Sequence, residues 1–208
     1  MSIGPDIKEV FEELGMPVTL YKVDGSTVTG EFIDYDDTFH KATTELQRQF
    51  ALTVSFAYDS QAVAGDIVQL VGFDTYYIVI SLKPSYFEAT VVILEGYLLK
   101  CNVLGRFARQ TETRNGYDLS VTWPTVQDLV YGVQFERGSN SDAESVLDIM
   151  EIPVGTKVLY VPNYSTIRVG DRWYPDNEDD SEYYRVNTIH TRRFSGCKLV
   201  YLTEDTRE

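Results

Sequence analysis

The residues able to carry out covalent chemistry are few and widely separated. The chain has two histidines, His40 and His190, and two cysteines, Cys101 and Cys197. Their positions give no metal-ligand spacing and no Cys-x-x-Cys pair. His190 and Cys197 are conceivable as a base and a nucleophile, although a core thiol and a strand-surface histidine form the commoner arrangement. We expect no metal site and two free thiols partly buried in strands, with a disulfide as the alternative.

Acidic residues are abundant, but no pair of them stands out as catalytic. The chain contains 32 Asp and Glu against 18 Lys and Arg, for a net charge of −14. The acidic run at 176–182 lacks the glycine and the final glutamate of a helix-loop-helix calcium loop, so a solvated hairpin tip is expected there. There is no P-loop and no dinucleotide-binding fingerprint. The sequence therefore predicts no enzyme, no catalytic residue and no cofactor.

Size and charge limit the classes of protein further. The 208 residues are enough for one large domain or two of about 100, and 43% hydrophobic residues are typical of a folded protein. Such an acidic chain repels phosphate at long range, which disfavours tight nucleic-acid binding through a basic face. The longest apolar run, 89–99, is about half a membrane span and contains Glu95. We expect no targeting segment and no membrane span.

The two halves of the chain share a pattern of residues in the same order. Gly65-Asp66 recurs as Gly170-Asp171, and Tyr76-Tyr77-x-Val79 recurs as Tyr183-Tyr184-x-Val186. The weaker matches pair Val18-Thr19 with Val121-Thr122, 30–32 with 132–135, 52–56 with 157–161, and 91–94 with 199–202. Because the spacing between matched segments is nearly constant, we predict a tandem duplication.

Each half is predicted to form short β-strands joined by turns. Runs of about four to seven residues rich in Val, Ile, Tyr, Thr and Phe alternate with clusters of Gly, Asp, Asn or Pro. Gly65 and Gly170 are expected to supply turn conformations at the start of a hairpin. About five or six strands per half suit a small closed barrel. The predicted fold is mainly β, with two tandem small β-barrels related by internal duplication and a short N-terminal helix.

The pattern also predicts the domain boundaries. A helix is expected between Pro5 and Gly15. Its apolar residues follow helical spacing: Ile7, Val10, Phe11 and Leu14. Residues 1–108 would form this helix and the first barrel, 109–118 the linker, and 119–208 the second barrel.

Two long connections fall outside the strand pattern, at 34–51 and 136–155. Connections of this length in a compact domain are often functional. One interpretation is a crossover containing a short helix, and the other is an arm that reaches a neighbouring subunit or a central space. The first connection is the candidate channel-facing or inter-subunit arm. Its candidate residues are Asp36, Asp37, Phe39, His40, Lys41 and Glu45.

Residues 156–189 resemble the distal half of the head-closure, or stopper, proteins of tailed bacteriophages and of their head-tail joining relatives. In that family a strand ending in Tyr-Val-Pro leads through a short loop to an Asp-containing strand and then to a Tyr-x-Val strand. The matching positions are Leu159, Tyr160, Val161, Pro162, Asp171, Tyr184 and Val186. Residues 119–136 are similar to the opening strands of the family, and the first half is related to it only through the repeat.

The resemblance implies a structural virion protein of the head-tail connector, assembled in the host cytoplasm. It would form a ring in the neck that closes the portal channel after DNA packaging and docks the tail. Its partners would be a portal or adaptor protein and tail proteins, with no membrane. Genomic DNA would pass without sequence-specific binding, because an acidic lining repels phosphate. The ring would be homo-oligomeric, with about 6 or 12 subunits depending on whether both barrels match a twelvefold portal.

Two other functions remain open from the sequence. The first is another tail component, such as a tail-completion or baseplate protein, because fold alone does not determine function. The second is an acidic protein that mimics DNA and inhibits a nucleic-acid enzyme. In this chain the acids are spread among predicted hairpin tips and the helix, which favours the mimic less.

Overall fold

The computed structural model describes residues 3–35, 51–115, 117–136, 157–176 and 180–207. The helix in these residues is α1 (Ile3–Leu14). The strands of the first barrel are β1 (Met16–Tyr21), β2 (Thr27–Tyr35), β3 (Ala51–Ala57), β4 (Ile67–Leu70), β5 (Tyr76–Phe87) and β6 (Thr90–Lys100). The later strands are β7 (Val103–Ala108), β8 (Thr111–Asn115), β9 (Asp118–Thr122), β10 (Thr125–Glu136), β11 (Lys157–Pro162), β12 (Arg172–Tyr174), β13 (Tyr184–His190) and β14 (Cys197–Glu204).

The strands form two closed antiparallel barrels with the same topology. Neighbours in the first barrel follow the order β1-β2-β3-β6-β5-β4, and neighbours in the second follow β7-β10-β11-β14-β13-β12. Each strand of one barrel therefore has a counterpart in the other, with β1 matching β7 and β2 matching β10. The predicted fold class, two tandem small β-barrels after a short helix, is confirmed. β8 and β9 form a separate two-stranded ribbon.

The strongest parts of the sequence repeat occupy equivalent positions in the two barrels. The Gly65 N–H donates a hydrogen bond to Val79 O at 2.8 Å, and the Gly170 N–H donates to Val186 O at 2.8 Å. The same two valines donate to the carbonyl oxygen of the aspartate that follows each glycine, at 2.9 Å in both barrels. Both glycines have positive φ, 104° and 92°, as expected for turns that favour glycine.

Strand pairing corrects the weaker matches of the repeat. β1 corresponds to β7, whereas Val121 and Thr122 lie in β9 of the ribbon. In β6 the counterpart of Leu202 is Leu98, because these residues pair with Val186 and Val79 respectively. The match between 91–94 and 199–202 therefore joins the correct strands in the wrong register. Connections of unequal length separate the matched strands, so a constant offset does not persist along the chain.

A β-bulge lies at the same place in β2 and β10. The pairing of β1 with β2 shifts register near Gly30, which has φ 79°, and the pairing of β7 with β10 shifts near Leu129, which has φ 50°. Gly30 therefore corresponds to Leu129, and the sequence match to Gly132 was wrong. A left-handed conformation is costly for leucine and not for glycine. The second barrel therefore has the same bulge but lacks the glycine that would favour it.

The predicted domain boundary differs from the observed one. β7 pairs with β10 and β12, so it belongs to the second barrel and not to the first. The predicted linker at 109–118 contains β8, and with β9 it forms the ribbon that connects β7 to β10. The passage between barrels is instead Cys101-Asn102. Every residue of β8 and β9 is exposed, so the apolar alternation that identifies a strand in sequence is weak there.

The barrels lie side by side and share an apolar core. Ile67, Ile78, Ile80 and Leu99 of the first barrel pack against residues of the second. Their buried partners in the second barrel are Val133, Val158, Tyr160, Cys197 and Leu199. Residues 78–80 of β5 are consequently buried on both faces of the strand, since Val79 belongs to the interior of the first barrel. Two further clusters fill the two barrel interiors.

Contacts between the two barrels align them at both ends. We call upper the end that carries the β3–β4 loop in the first barrel and the β11–β12 loop in the second. There the Gly196 N–H donates to Ile80 O at 2.8 Å, and the Asn163 side chain lies against Gly65. At the lower end the rings of Tyr76 and Tyr131 stack with centroids 4.3 Å apart. The two barrels therefore point in the same direction.

Helix α1 packs along the outside of the first barrel, on β2, β3 and β6. Phe11 is buried against the barrel, and the chain leaves the helix at Gly15, whose N–H donates to Phe11 O at 2.9 Å. The predicted helix boundaries are confirmed to within two residues. Val10 and Leu14, which belong to the predicted apolar stripe, are instead 50% and 83% exposed.

Gly196 is predicted to be essential for the contact between barrels. A Cβ at this position would meet Val79 O at 1.9 Å, and backbone atoms cannot move aside without separating β5 from the loop. We expect Gly196→Ala to lower the free energy of unfolding by about 3 kcal/mol in chemical denaturation. The control is Gly72→Ala, where nothing lies within 4 Å and only the positive φ of 88° adds a cost of about 1 kcal/mol. Equal losses in the two variants would contradict the proposed role.

The shared bulge gives a second prediction. Leu129→Gly removes the left-handed strain from a side chain that is already 62% exposed. After subtraction of the extra chain entropy of glycine, we expect a stabilisation of about 0.5 to 1 kcal/mol. The matched variant Gly30→Ala should destabilise by about 1 kcal/mol. Thermal and urea unfolding measure both, and destabilisation by Leu129→Gly would show that the leucine packing outweighs the strain.

Candidate interaction surfaces

The β3–β4 loop of the first barrel is fixed by a buried carboxylate. Asp66 is fully buried, and its Oδ2 accepts a hydrogen bond from the Val63 N–H at 2.8 Å. Lys22 follows β1 directly, and its Nζ contacts the same oxygen. This carboxylate clamp ties the loop to the turn between β1 and β2 at the upper end of the barrel.

The second barrel repeats the clamp with an arginine. Asp171 is buried and accepts a hydrogen bond from the Arg168 N–H at 2.8 Å. Arg109 follows β7 as Lys22 follows β1, and its guanidinium donates to both carboxylate oxygens at 2.9 Å. This hydrogen bonding to Asp171 raises the pKa of Arg109 above its usual value. The two clamps show that Gly-Asp in the repeat identifies a loop and its buried anchor.

The two clamps differ in how well they satisfy the carboxylate. Arginine presents a planar fork that can bond both oxygens of a carboxylate, whereas a lysine acts as a point charge. Within the described residues Asp66 Oδ1 has no hydrogen-bond donor. The first barrel therefore contains a buried acceptor that the second barrel satisfies. The aspartates are recognisable in the sequence and their cations are not, because Lys22 and Arg109 are distant from them along the chain.

A cluster of arginine and aromatic side chains holds the base of the ribbon. The Arg172 guanidinium lies between the rings of Trp123, at 3.7 Å from the centroid, and Tyr183, at 4.5 Å. The side chain of Asp205 is buried and accepts hydrogen bonds from Arg172 Nε at 2.6 Å and Arg207 Nε at 2.7 Å. Burial alone would raise the pKa of Asp205, but these arginines lower it well below its usual range. Trp123 immediately follows β9, so the cluster anchors the exposed ribbon to the barrel.

Two hairpins present apolar side chains to solvent at the upper end. Tyr117 and Leu119 of the ribbon are 102% and 61% exposed. Tyr86 and Phe87 end β5, directly before its turn into β6, and are 64% and 49% exposed. Exposed aromatic tips on hairpins are candidates for protein contacts.

Among the described residues, those suited to covalent chemistry are not brought into a catalytic arrangement. The ring of His190 packs edge-on against Tyr201, with centroids 5.3 Å apart. Cys197 is buried in the core between the barrels, and burial raises the pKa of its thiol to about 12. Burial also raises the pKa of Cys101, and both cysteines are free. Neither thiol forms an appreciable amount of thiolate near neutral pH, which a nucleophile would require.

The other candidate positions fall partly outside the described residues. β2 extends to Tyr35, and the candidate arm residues Asp36, Asp37, Phe39, His40, Lys41 and Glu45 lie beyond it, outside the described residues. Most of the connection at 136–155 lies outside them too. In the described parts of the chain, no three His, Cys, Asp or Glu side chains are placed to hold a metal ion. Among the same residues no helix is long and apolar enough to span a membrane.

Comparison of the chain with protein-family models, with characterised proteins and with solved structures gives no match. The resemblance of residues 156–189 to phage head-closure proteins therefore remains an observation on the residues themselves.

The repeated clamp predicts equal effects of two distant substitutions. Asp66→Asn and Asp171→Asn each remove the charge of a buried carboxylate that holds a half-buried cation, and each should lower the free energy of unfolding by about 3 kcal/mol. The matched control is Asp59→Asn, because the Lys8–Asp59 pair at 2.7 Å is solvent-exposed and should contribute far less. Lys22→Arg should stabilise by about 1 kcal/mol by supplying a donor to Asp66 Oδ1. Urea unfolding measures all four, and a large loss in Asp59→Asn alone would contradict the clamp.

Proposed function

We propose that this protein is a structural component of the head-tail connector of a tailed bacteriophage, where it forms a ring that closes the portal channel and docks the tail. The observation that carries the proposal is the pair of closed barrels joined through a shared apolar core. This arrangement provides a rigid unit with several outward loops, as a ring subunit requires. The described residues present no catalytic arrangement that would favour an enzyme.

The residues of the family resemblance have definite places in the second barrel. Tyr160, Val161 and Pro162 end β11. Tyr160 belongs to the core between the barrels, and Val161 belongs to the interior of the second barrel. Asp171 is the anchor of the carboxylate clamp, and Tyr184 and Val186 belong to the interior. All these positions are explained by folding. They support membership of a barrel family and leave the position along the phage particle to experiment.

The charge of the chain is compatible with a protein that surrounds DNA. A ring whose channel is lined with carboxylates repels the phosphate backbone, so DNA slides through it without being held. Because the two barrels have the same topology and point in the same direction, six chains would present twelve similar barrels to a twelvefold portal.

The decisive experiment is immunogold labelling of purified phage particles with an antibody raised against the recombinant protein. We expect gold at the head-tail junction in negative-stain images, and labelling should vanish when the antibody is first absorbed with the protein. Gold at the tail tip would instead assign the protein to the baseplate. Absence of gold from every particle would overturn the proposal.

A further inference from the structure

Helix α1 carries an exposed stripe that combines acids with apolar side chains. Glu9, Val10, Glu13 and Leu14 are all exposed and lie on adjacent turns of the same face. A helix that packs on a barrel normally turns its apolar residues inward, as Phe11 does here. Two large apolar side chains beside two carboxylates on the outer face therefore require a different explanation.

The second barrel carries a surface of the opposite charge. In a chain of net charge −14, the stretch from Tyr183 to Thr203 contains no acidic residue. Its basic residues are Arg185, Arg192, Arg193 and Lys198, with His190 among them. The loop between β13 and β14 borders a shallow depression of about 550 Å³, lined by Ile189, His190, Thr191, Arg192, Arg193 and Leu199. We call this depression the basic groove.

The acidic stripe and the basic groove complement each other. Half-buried Ile189 gives the groove an apolar part above the buried Leu199, and Arg192 and Arg193 are exposed at its border. An amphipathic helix that lays an apolar strip into a groove, with charges of opposite sign beside it, is a recurrent mode of recognition. Val10 and Leu14 would fill the apolar part, while Glu9 and Glu13 face the two arginines.

The two surfaces of one chain cannot meet each other. α1 lies on β2, β3 and β6, so it is centred on β3, which is opposite β4 in the first barrel. The loop that carries the basic groove contacts β5 through Gly196. The first barrel therefore stands between the stripe and the groove, so only another molecule can join them.

We propose that α1 of one copy docks into the basic groove of the next copy, in a head-to-tail contact. Because the contact uses two different patches, it leaves a free stripe and a free groove at the ends, so the assembly keeps growing and forms a ring where the rotation between copies closes. That this contact occurs within a connector ring rests on the proposed function, whereas the two contact surfaces are defined by the described residues alone. Between exposed charges the attraction weakens as salt rises.

Cysteine cross-linking of the full chain tests the contact directly. The variant Val10→Cys/Thr191→Cys should give a ladder of disulfide-linked oligomers under mild oxidation. The matched control Val10→Cys/Val169→Cys offers a second thiol at another exposed site, since Val169 is 60% exposed, and should give no ladder. The unsubstituted chain serves as the blank for Cys101 and Cys197. No ladder in the first variant, or an equal ladder in the control, would overturn the proposal.

Charge-reversal substitutions provide a second test of the contact. In the cross-linking variant, Glu9→Arg/Glu13→Arg should reduce the oligomer yield by more than about tenfold, because like charges then meet in the contact. Adding Arg192→Glu/Arg193→Glu to the same chain should restore the yield. A destabilising effect of either pair alone would not be repaired by the other, so restoration is diagnostic of pairing. Failure of restoration in folded protein would overturn the contact.

The outcomes separate this inference from the proposed function. Gold label at the head-tail junction without the disulfide cross-link would support the connector ring and overturn the proposed contact. The cross-link without any gold label would support self-association through this contact and overturn the connector function. Binding of labelled duplex DNA that Arg192→Glu/Arg193→Glu abolishes, in the absence of a ladder, would assign the groove to phosphate and overturn the proposal.

Discussion

The apolar core between the barrels is the interaction on which the rest of the molecule depends. A small closed barrel normally buries one face of each strand and leaves the other to solvent. Here residues 78–80 of β5 are buried on both faces, with Val79 directed into its own barrel and Ile78 and Ile80 directed toward the neighbouring barrel. The two barrels therefore act as a single mechanical unit. This unit fixes the separation of α1 from the β13–β14 loop, and that separation makes a contact within one chain impossible.

The carboxylate clamps solve a local problem that the barrels share. The β3–β4 loop and the equivalent β11–β12 loop must each return to their barrel. A buried aspartate fixes the path of each loop, because it accepts a hydrogen bond from a backbone N–H and pairs with the cation that follows the first strand of the barrel. Burial makes such pairs costly to break and only weakly favourable to keep. Their repetition in both barrels, with lysine in one and arginine in the other, indicates that the geometry of the loop is what is retained.

Much of the fold could be predicted from the sequence, and the successes and errors have separable causes. Gly65-Asp66 and Gly170-Asp171 were identifiable because a positive φ at glycine leaves a local signature. In the sequence Gly30 aligns with Gly132, because its structural counterpart, Leu129, is not a glycine. The ribbon has the sequence pattern of a linker, because strands exposed on both faces have no apolar alternation. The cations of the clamps leave no local signal, because they are distant from their aspartates in the chain.

The sequence by itself determined that the chain is mainly β and that it folds as two tandem small barrels after a short helix. These properties follow from local periodicity and from composition, which do not require knowledge of distant neighbours. Only the tertiary structure decided the register of the repeat, the place of β7, the fusion of the barrels, and the exposure of Val10 and Leu14. Each of these features depends on which strands pair with each other. Strand pairing is decided by packing between residues distant in the chain, because the burial of β5 against both barrels outweighs the local structural preference of its sequence.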